Sequence, residues 1–395
     1  MSRARLSAEH VVIGAGIIGL TTACELLESG VPGEDIALVD PHPAHGATHV
    51  AGGMLAPVAE VQFQQEALYP LMGVASQLYP TLLTAVSEKT CLPTGHNTAP
   101  TLVVGADAAD ARHVAALLEH QQRHGMDARR VTIRQARAME RGLSPQLAGA
   151  VEIPGDHQVN PRMLAAALID ILSDAGVRWV EEPATQVTGP MGKNGLLRRC
   201  DVVATTTRDI AVGTSAYLCN GLGTAEVTGW HVGVTSPLQL RPVRGDLLRL
   251  RVTRPGWEPT TRVIRAFVNS RPVYIIPRTD GTVAIGATSR EDDRVGPAVD
   301  GVLTLLRDAA RVLPAVEDCE FIEALAGARP GTPDDLPYLG QVGENLVVST
   351  GYFRHGILLA PLGARAAVAW GLGESPHVDL AACDPLRHWG GSSEE

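Results

Sequence analysis

Lysine is almost missing from this chain. Lys89 and Lys193 are the only two among 395 residues, and both stand in polar, loop-like surroundings beside Glu88 and Asn194. Schiff-base chemistry, which needs an activated lysine amine, therefore has almost no candidate. Cysteine is sparse too. The six, Cys24, Cys91, Cys200, Cys219, Cys319 and Cys383, contain no CxxC pair, so their spacing suggests neither a zinc site nor a disulfide framework and fits a reducing cytoplasm. Basic residues are outnumbered, 33 against 43 acidic, for a net charge of −10. With no long basic run to track phosphates, nucleic acid is not expected as a partner. No apolar stretch reaches the roughly 20 residues of a membrane span, so no membrane association is expected. Arg3 and Arg5 precede an apolar run in the manner of a secretion signal, but Glu9 and His10 interrupt it. The segment is read as mature sequence of a cytoplasmic protein.

Against these absences stands one dense stretch. HVVIGAGIIGLTTACELLESG, His10 to Gly30, reads as a strand, a glycine turn and a helix, and the turn spells GxGxxG with Gly14, Gly16 and Gly19. The first glycine permits the tight turn, the second lets backbone N–H groups approach a pyrophosphate, and the third lets the helix pack on the strand. The helix N-terminus then faces the phosphate charge. A second strand, residues 36–39, ends in Asp40, where an acid would meet a ribose hydroxyl. The length allows two domains, or one with an elaborate insertion.

His42, His45 and His49 follow among prolines and glycines that give no helical ligand face, so no metal is expected. The small residues there, Gly46 to Thr48 and Ala51 to Gly53, suit backbone lying against a large flat ligand. Residues 66–90 have helical spacing, with breaks expected at Pro70 and Pro80. A strand at 101–104 and a helix at 106–124 come next. Near Asp156 the text changes: Asn160 caps a helix opened by Pro161, and the strand at 177–180 suggests that the nucleotide domain resumes and is discontinuous. Residues 201–219 read as strands that end at Asn220 and Gly221. VYIIPR, Val273 to Arg278, and TVAIGATS, Thr282 to Ser289, read as a hairpin with Tyr274 at its start. A helix at 301–313 stops at Pro314. Arg329 and Arg354 each sit in a small-residue loop rather than on a charged helix face, and the tail from Gly390 is expected to be disordered.

VVIGAGIIGL, AGGMLAP, VYIIPR with IGAT, and above all GARPGTPDDLPYLG with GYFRHGILLAP resemble the D-amino-acid oxidase family of flavoproteins over nearly the whole chain, and within it the glycine oxidase branch that serves thiamine-thiazole synthesis. The resemblance implies an α/β fold in which an FAD-binding Rossmann-like domain (1–90, 150–227 and 322–395) carries an inserted α+β substrate domain (91–149 and 228–321) with a mixed or antiparallel sheet. It implies non-covalent FAD, with the pyrophosphate over Gly14, Ala15, Gly16, Ile17, Ile18 and Gly19 and the ribose on Asp40. The flavin would lie against Thr48, Ala51, Gly52, Gly53 and Met54 and the closing segment Tyr352, Phe353, Arg354, His355, Gly356, Ile357 and Leu358. Arg329 and Tyr274 would grip the substrate carboxylate, with Arg354 as a second arginine near the flavin, so that Tyr274, Arg329 and Arg354 form the catalytic set. The implied reaction is oxidative deamination of glycine by hydride transfer from Cα to flavin N5, giving an imine, then glyoxylate and ammonia, with oxygen reduced to hydrogen peroxide. A thiazole synthase is an implied partner, and a homotetramer an implied assembly.

Three positions depart from the pattern: His49 in place of a serine, Gly223 in place of a tryptophan, and Ser289 in place of a methionine or other bulky residue. They bear on pocket size and polarity more than on the cofactor. Sarcosine, proline or a D-amino acid, with oxygen or another acceptor, stay open as alternatives on the same scaffold. Leu325 to Asp335 contains no cysteine of the kind that tethers flavin in sarcosine oxidases, which favours a non-covalent cofactor.

Overall fold

The computed structural model describes residues 3–233, 236–254 and 256–389. The expectation for the tail from Gly390 lies outside them.

The strand Ala4–Ile13 organises the first sheet. Its closing residues, His10 to Ile13, are buried, as expected for a strand covered on both faces of a parallel sheet. It pairs in parallel with Ile36–Val39 on one side and with Arg208–Leu218 on the other. Beyond these lie Arg178–Val180 and Leu346–Thr350, also parallel to their neighbours. The chain leaving Ile13 therefore emerges where its neighbours diverge to opposite sides, and the crevice at such a switch point is where open α/β sheets take ligands. Helices Ile17–Glu28, Tyr69–Lys89, Pro161–Asp174 and Gly356–Gly371 contribute to one apolar cluster with this sheet.

The second sheet has eight strands, in the order Glu320–Gly331, Arg241–Arg251, Thr282–Gly286, Arg271–Pro277, Ile264–Val268, Thr101–Gly105, Gly149–Ile153, Arg129–Val131. All pairs are antiparallel except Ile264–Val268 with Thr101–Gly105, so the sheet is mixed. The expected hairpin is present, and Asp280 closes its turn by accepting from the Thr282 backbone N–H at 2.9 Å. Gly149–Ile153 and Glu320–Gly331 pair in this sheet although the boundaries read from the sequence, 150 and 322, run through them. Short β-branched runs show that a strand exists but not which sheet will take it.

One expected break is absent. Tyr69–Lys89 is a single helix with Pro80 inside it. Pro70 falls in the first turn, where no N–H is needed. Pro80 is retained because tertiary packing overrides it: the neighbouring Tyr79 is buried and its hydroxyl donates to the Ile357 carbonyl at 2.7 Å.

Asp156 ties a loop to this frame. Its carboxylate is fully buried and accepts from the backbone N–H groups of Val58, at 3.2 Å, and Ala59, at 2.6 Å. Burial outweighs the two donors and pushes the group up to about 7. The folded state then holds this proton more tightly than the unfolded chain, so stability falls as pH rises from about 4 to about 7. Asp156→Asn should remove that part of the slope, an effect on the order of a few kcal/mol across the window. Denaturant midpoints measured at intervals over this range check it, and identical pH profiles for the two proteins would refute it.

Candidate active site

A cavity of about 930 Å³ is lined by residues of both sheets. At one end is the glycine turn, where the three glycines do different work. Gly14 has φ +98°, and a Cβ there would stand 2.5 Å from Asn220 Cα. A Cβ at Gly19 would overlap the Gly14 carbonyl. These two, with Ala15, shape the turn and do not line the cavity. Gly16 does line it, and a Cβ there would meet nothing closer than Thr48 Oγ1 at 3.4 Å. The middle glycine thus leaves open space in front of the backbone, as a pyrophosphate requires.

Helix Ile17–Glu28 receives no side-chain cap from Gly16. Instead the buried Thr48 hydroxyl accepts from the Ile17 N–H at 2.9 Å, satisfying one of the orphan donors of the helix start. Asp40 holds the turn from the other side, accepting from Ala15 N–H at 2.7 Å and His42 N–H at 2.8 Å. A carboxylate has about four acceptor positions, so Asp40, which lines the cavity, keeps capacity for hydroxyl groups. Open glycine backbone, helix N-terminus and acid together fit the dinucleotide part of FAD.

Ala51, Gly52, Gly53 and Met54 line the middle of the cavity. Arg278 secures them: it is buried, and its guanidinium donates to the carbonyls of Gly52 and Val159 and to Gln158 Oε1. Opposite runs Tyr352 to Leu358. The Tyr352 hydroxyl shares a hydrogen bond with Ser349 Oγ at 2.8 Å. His355 is buried, and desolvation, with Arg354 and Arg265 nearby, pushes its pKa down to about 3, so the ring is neutral at ordinary pH. The helix Gly356–Gly371 starts immediately after it.

Tyr274, Arg329 and Arg354 come together in the cavity wall. Tyr274 rests against two glycines: a Cβ at Gly52 would lie 2.9 Å from its hydroxyl, and one at Gly286 would overlap it. Burial raises its pKa, against the pull of Arg329, Arg354, Arg278 and Arg265, so the hydroxyl keeps its proton and can donate. The Arg329 guanidinium lies over Gly245, where any Cβ would collide with it. Its polar contact is weak, with Nη1 3.4 Å from the Thr288 carbonyl, and among the described residues no carboxylate pairs with it. Arg354 is different. Its Nη2 donates to Glu60 Oε2 at 3.0 Å, and the other oxygen of Glu60 pairs with Arg265.

Glu60 and Arg265 were not among the residues picked out from the sequence. Glu60 stands in APVAEVQF, which reads as plain loop. A signal for Arg265 was present: it is a lone charge inside VIRAFV, a run buried from Val263 to Val268, and a charge on a wholly buried strand needs a buried partner. His42 and His45 line the cavity, and the ring of His49 is stacked on that of His45, 5.5 Å apart. Away from the cavity, Glu66, His120 and His124 bring possible ligand atoms within 4.8 Å of one another, but His120 Nε2 is already 2.9 Å from the Tyr69 hydroxyl.

Known proteins are similar in sequence and fold. The family model described as FAD dependent oxidoreductase (DAO) matches residues 9–370. The bifunctional protein ThiO/ThiG of Trichormus variabilis is 32% identical over 362 residues, covering 91% of this chain and 52% of that protein, so the chain spans about half the length of this relative. The glycine oxidase of Geobacillus kaustophilus is 29% identical over 386 residues, 96% of this chain and 97% of that one. The crystal structure of glycine oxidase from Geobacillus kaustophilus superposes with a TM-score of 0.83 at 27% identity, covering 98% and 100% of the two chains. With a match over more than nine-tenths of its length and a cavity shaped for the dinucleotide, the chain belongs to the DAO family of FAD-dependent oxidoreductases.

Proposed function

We propose that this protein oxidises glycine to its imine, hydrolysed to glyoxylate and ammonia, with oxygen as final acceptor and hydrogen peroxide as the second product. The observation that carries the reading is Arg329, a guanidinium lining the cavity that pairs with no carboxylate among the described residues, beside a protonated tyrosine. A guanidinium fork holds a carboxylate at two points and so fixes direction as well as position. Tyr274 offers a further donor, and the amino acid would then be aligned with its Cα towards the cofactor, an entropic advantage that needs no covalent chemistry from the protein. FAD, when bound, supplies the oxidant for the hydride leaving Cα.

Gly16, Ile17, Ile18, Asp40 and Thr48 are proposed to hold the dinucleotide, and Ala51 to Met54 with Tyr352 to Leu358 the flavin. Non-covalent attachment is part of the proposal: Cys219 lines the cavity, but burial pushes its thiol up to about 12, which leaves it a poor nucleophile. The similarity to glycine oxidase of Geobacillus kaustophilus supports glycine as substrate. The bifunctional nature of the ThiO/ThiG relative supports hand-over to a thiazole synthase. We further propose that the first sheet belongs to a discontinuous cofactor domain and the second to an inserted substrate domain.

Anaerobic mixing of the holoenzyme with glycine should bleach the oxidised-flavin absorbance, and admitting air should restore it. A flavin that stays oxidised at saturating glycine would exclude glycine as substrate. Arg329→Ala should lower kcat/KM by at least one to two decades, from the loss of a charged hydrogen bond of about 1.5–3 kcal/mol. Arg329→Lys should recover little of it, because an ammonium lacks the fork. Steady-state kinetics of both variants, with flavin content measured alongside, decides the point.

A further inference from the structure

Four guanidinium groups act on Tyr274 from around it, those of Arg329, Arg354, Arg278 and Arg265, and one carboxylate, Glu60, forms ion pairs with two of them. Glu60 is buried at 7% exposure and places one oxygen on each of two arginines, Oε2 on Arg354 at 3.0 Å and Oε1 on Arg265. Arg265 is 4% exposed and stands directly across the strand pair from Tyr274. Arg329 has only the weak contact with the Thr288 carbonyl.

This bridging is the geometry by which a bound carboxylate spans two guanidinium groups. Glu60 is also held there in advance. The backbone immediately before it, at Val58 and Ala59, is fixed by the buried carboxylate of Asp156. A side chain so placed is a resident anion in a position that a ligand's carboxylate would otherwise take. We propose that Glu60 fills a second anion subsite of the cleft and so restricts the site to substrates that carry one carboxylate. The argument rests on the reading that Arg329 takes the substrate carboxylate. Given that reading, a monocarboxylate finds one unpaired guanidinium and leaves no anion stranded. A dicarboxylate brings its second charge up against Glu60, which already engages Arg265 and Arg354, and like charges in a recessed site repel strongly.

The test uses non-reacting acids on the holoenzyme, followed by perturbation of the flavin spectrum: acetate as the monocarboxylate, malonate and succinate as the dicarboxylates. Wild type should bind acetate at least tenfold more tightly than either dicarboxylate. Glu60→Gln, which removes the anion while keeping the side chain's shape and so leaves Arg265 and Arg354 without a counter-charge, should move that ratio at least tenfold towards the dicarboxylates. Adding Arg265→Met to Glu60→Gln removes the freed cation as well and should move the ratio back. A wild-type protein that binds malonate or succinate within threefold of acetate overturns the proposal, whether or not the variants fold. So does a Glu60→Gln protein in which all three acids weaken in proportion, the mark of a purely structural role. Failure of the underlying reading looks different: Arg329→Ala would then leave acetate affinity unchanged.

Discussion

The site is organised by the difficulty of holding guanidinium charge away from water. An arginine cannot shed its proton at any pH a protein tolerates, so each one drawn into the cleft must find compensation in place, or its desolvation costs several kcal/mol. Burial is the leading influence on Arg265, Arg278, Arg329 and Arg354, and in each it acts against the charged form. The protein answers differently at each position. Arg278 is met by carbonyl oxygens and spends its charge bracing the Gly52 loop. Arg265 and Arg354 share Glu60. Arg329 is left with one long contact to a carbonyl, and that incomplete compensation is what a substrate carboxylate would relieve. On the proposed reading, binding energy is concentrated at Arg329.

Close packing within the second sheet and against the loop that faces the cofactor region makes this possible, and glycine makes the close packing. Tyr274 sits where side chains on Gly52 and Gly286 would collide with it, and Arg329 lies over Gly245. Gly327 is pressed against Val50 of the short helix Ala47–Val50, so the strand that bears Arg329 is set directly on the loop that faces the cofactor region. Each of these glycines has an ordinary role in a strand or loop when viewed alone. Their common effect is to bring tyrosine, arginine and cofactor loop within reach of one another.

How much of this could be read from the sequence depended on whether the signal was local. The glycine turn, the acid at Asp40, the Asn160–Pro161 helix start and the hairpin about Asp280 each have their cause within a few residues, and each stands in the structure where its pattern placed it. The persistence of the helix through Pro80 and the pairing of Gly149–Ile153 and Glu320–Gly331 in the second sheet are decided by contacts across the fold, which periodicity does not report. Glu60 is the clearest case. Its neighbours in the chain say loop, while its partners, Arg265 and Arg354, lie more than two hundred residues away. A pairing of that kind leaves no mark at either end except a charge in an apolar setting, and only VIRAFV shows one.

The two ends of the cavity treat negative charge by different means, and the difference matches how long each ligand stays. At the glycine turn the donors are backbone N–H groups and a helix terminus, partial charges that need no counter-ion when nothing is bound and that fit a group meant to remain. Thr48 and Asp40 already use part of that capacity to hold the turn rigid. At Arg329 the donor is a full charge, recessed and unpaired, which favours an anion strongly when one arrives and is poorly served when it leaves. On the proposed reading, a resident cofactor is held by geometry and a transient substrate is selected by charge. In that reading Glu60 belongs to the second scheme, since a carboxylate built into the wall would set how many further charges the substrate itself can bring.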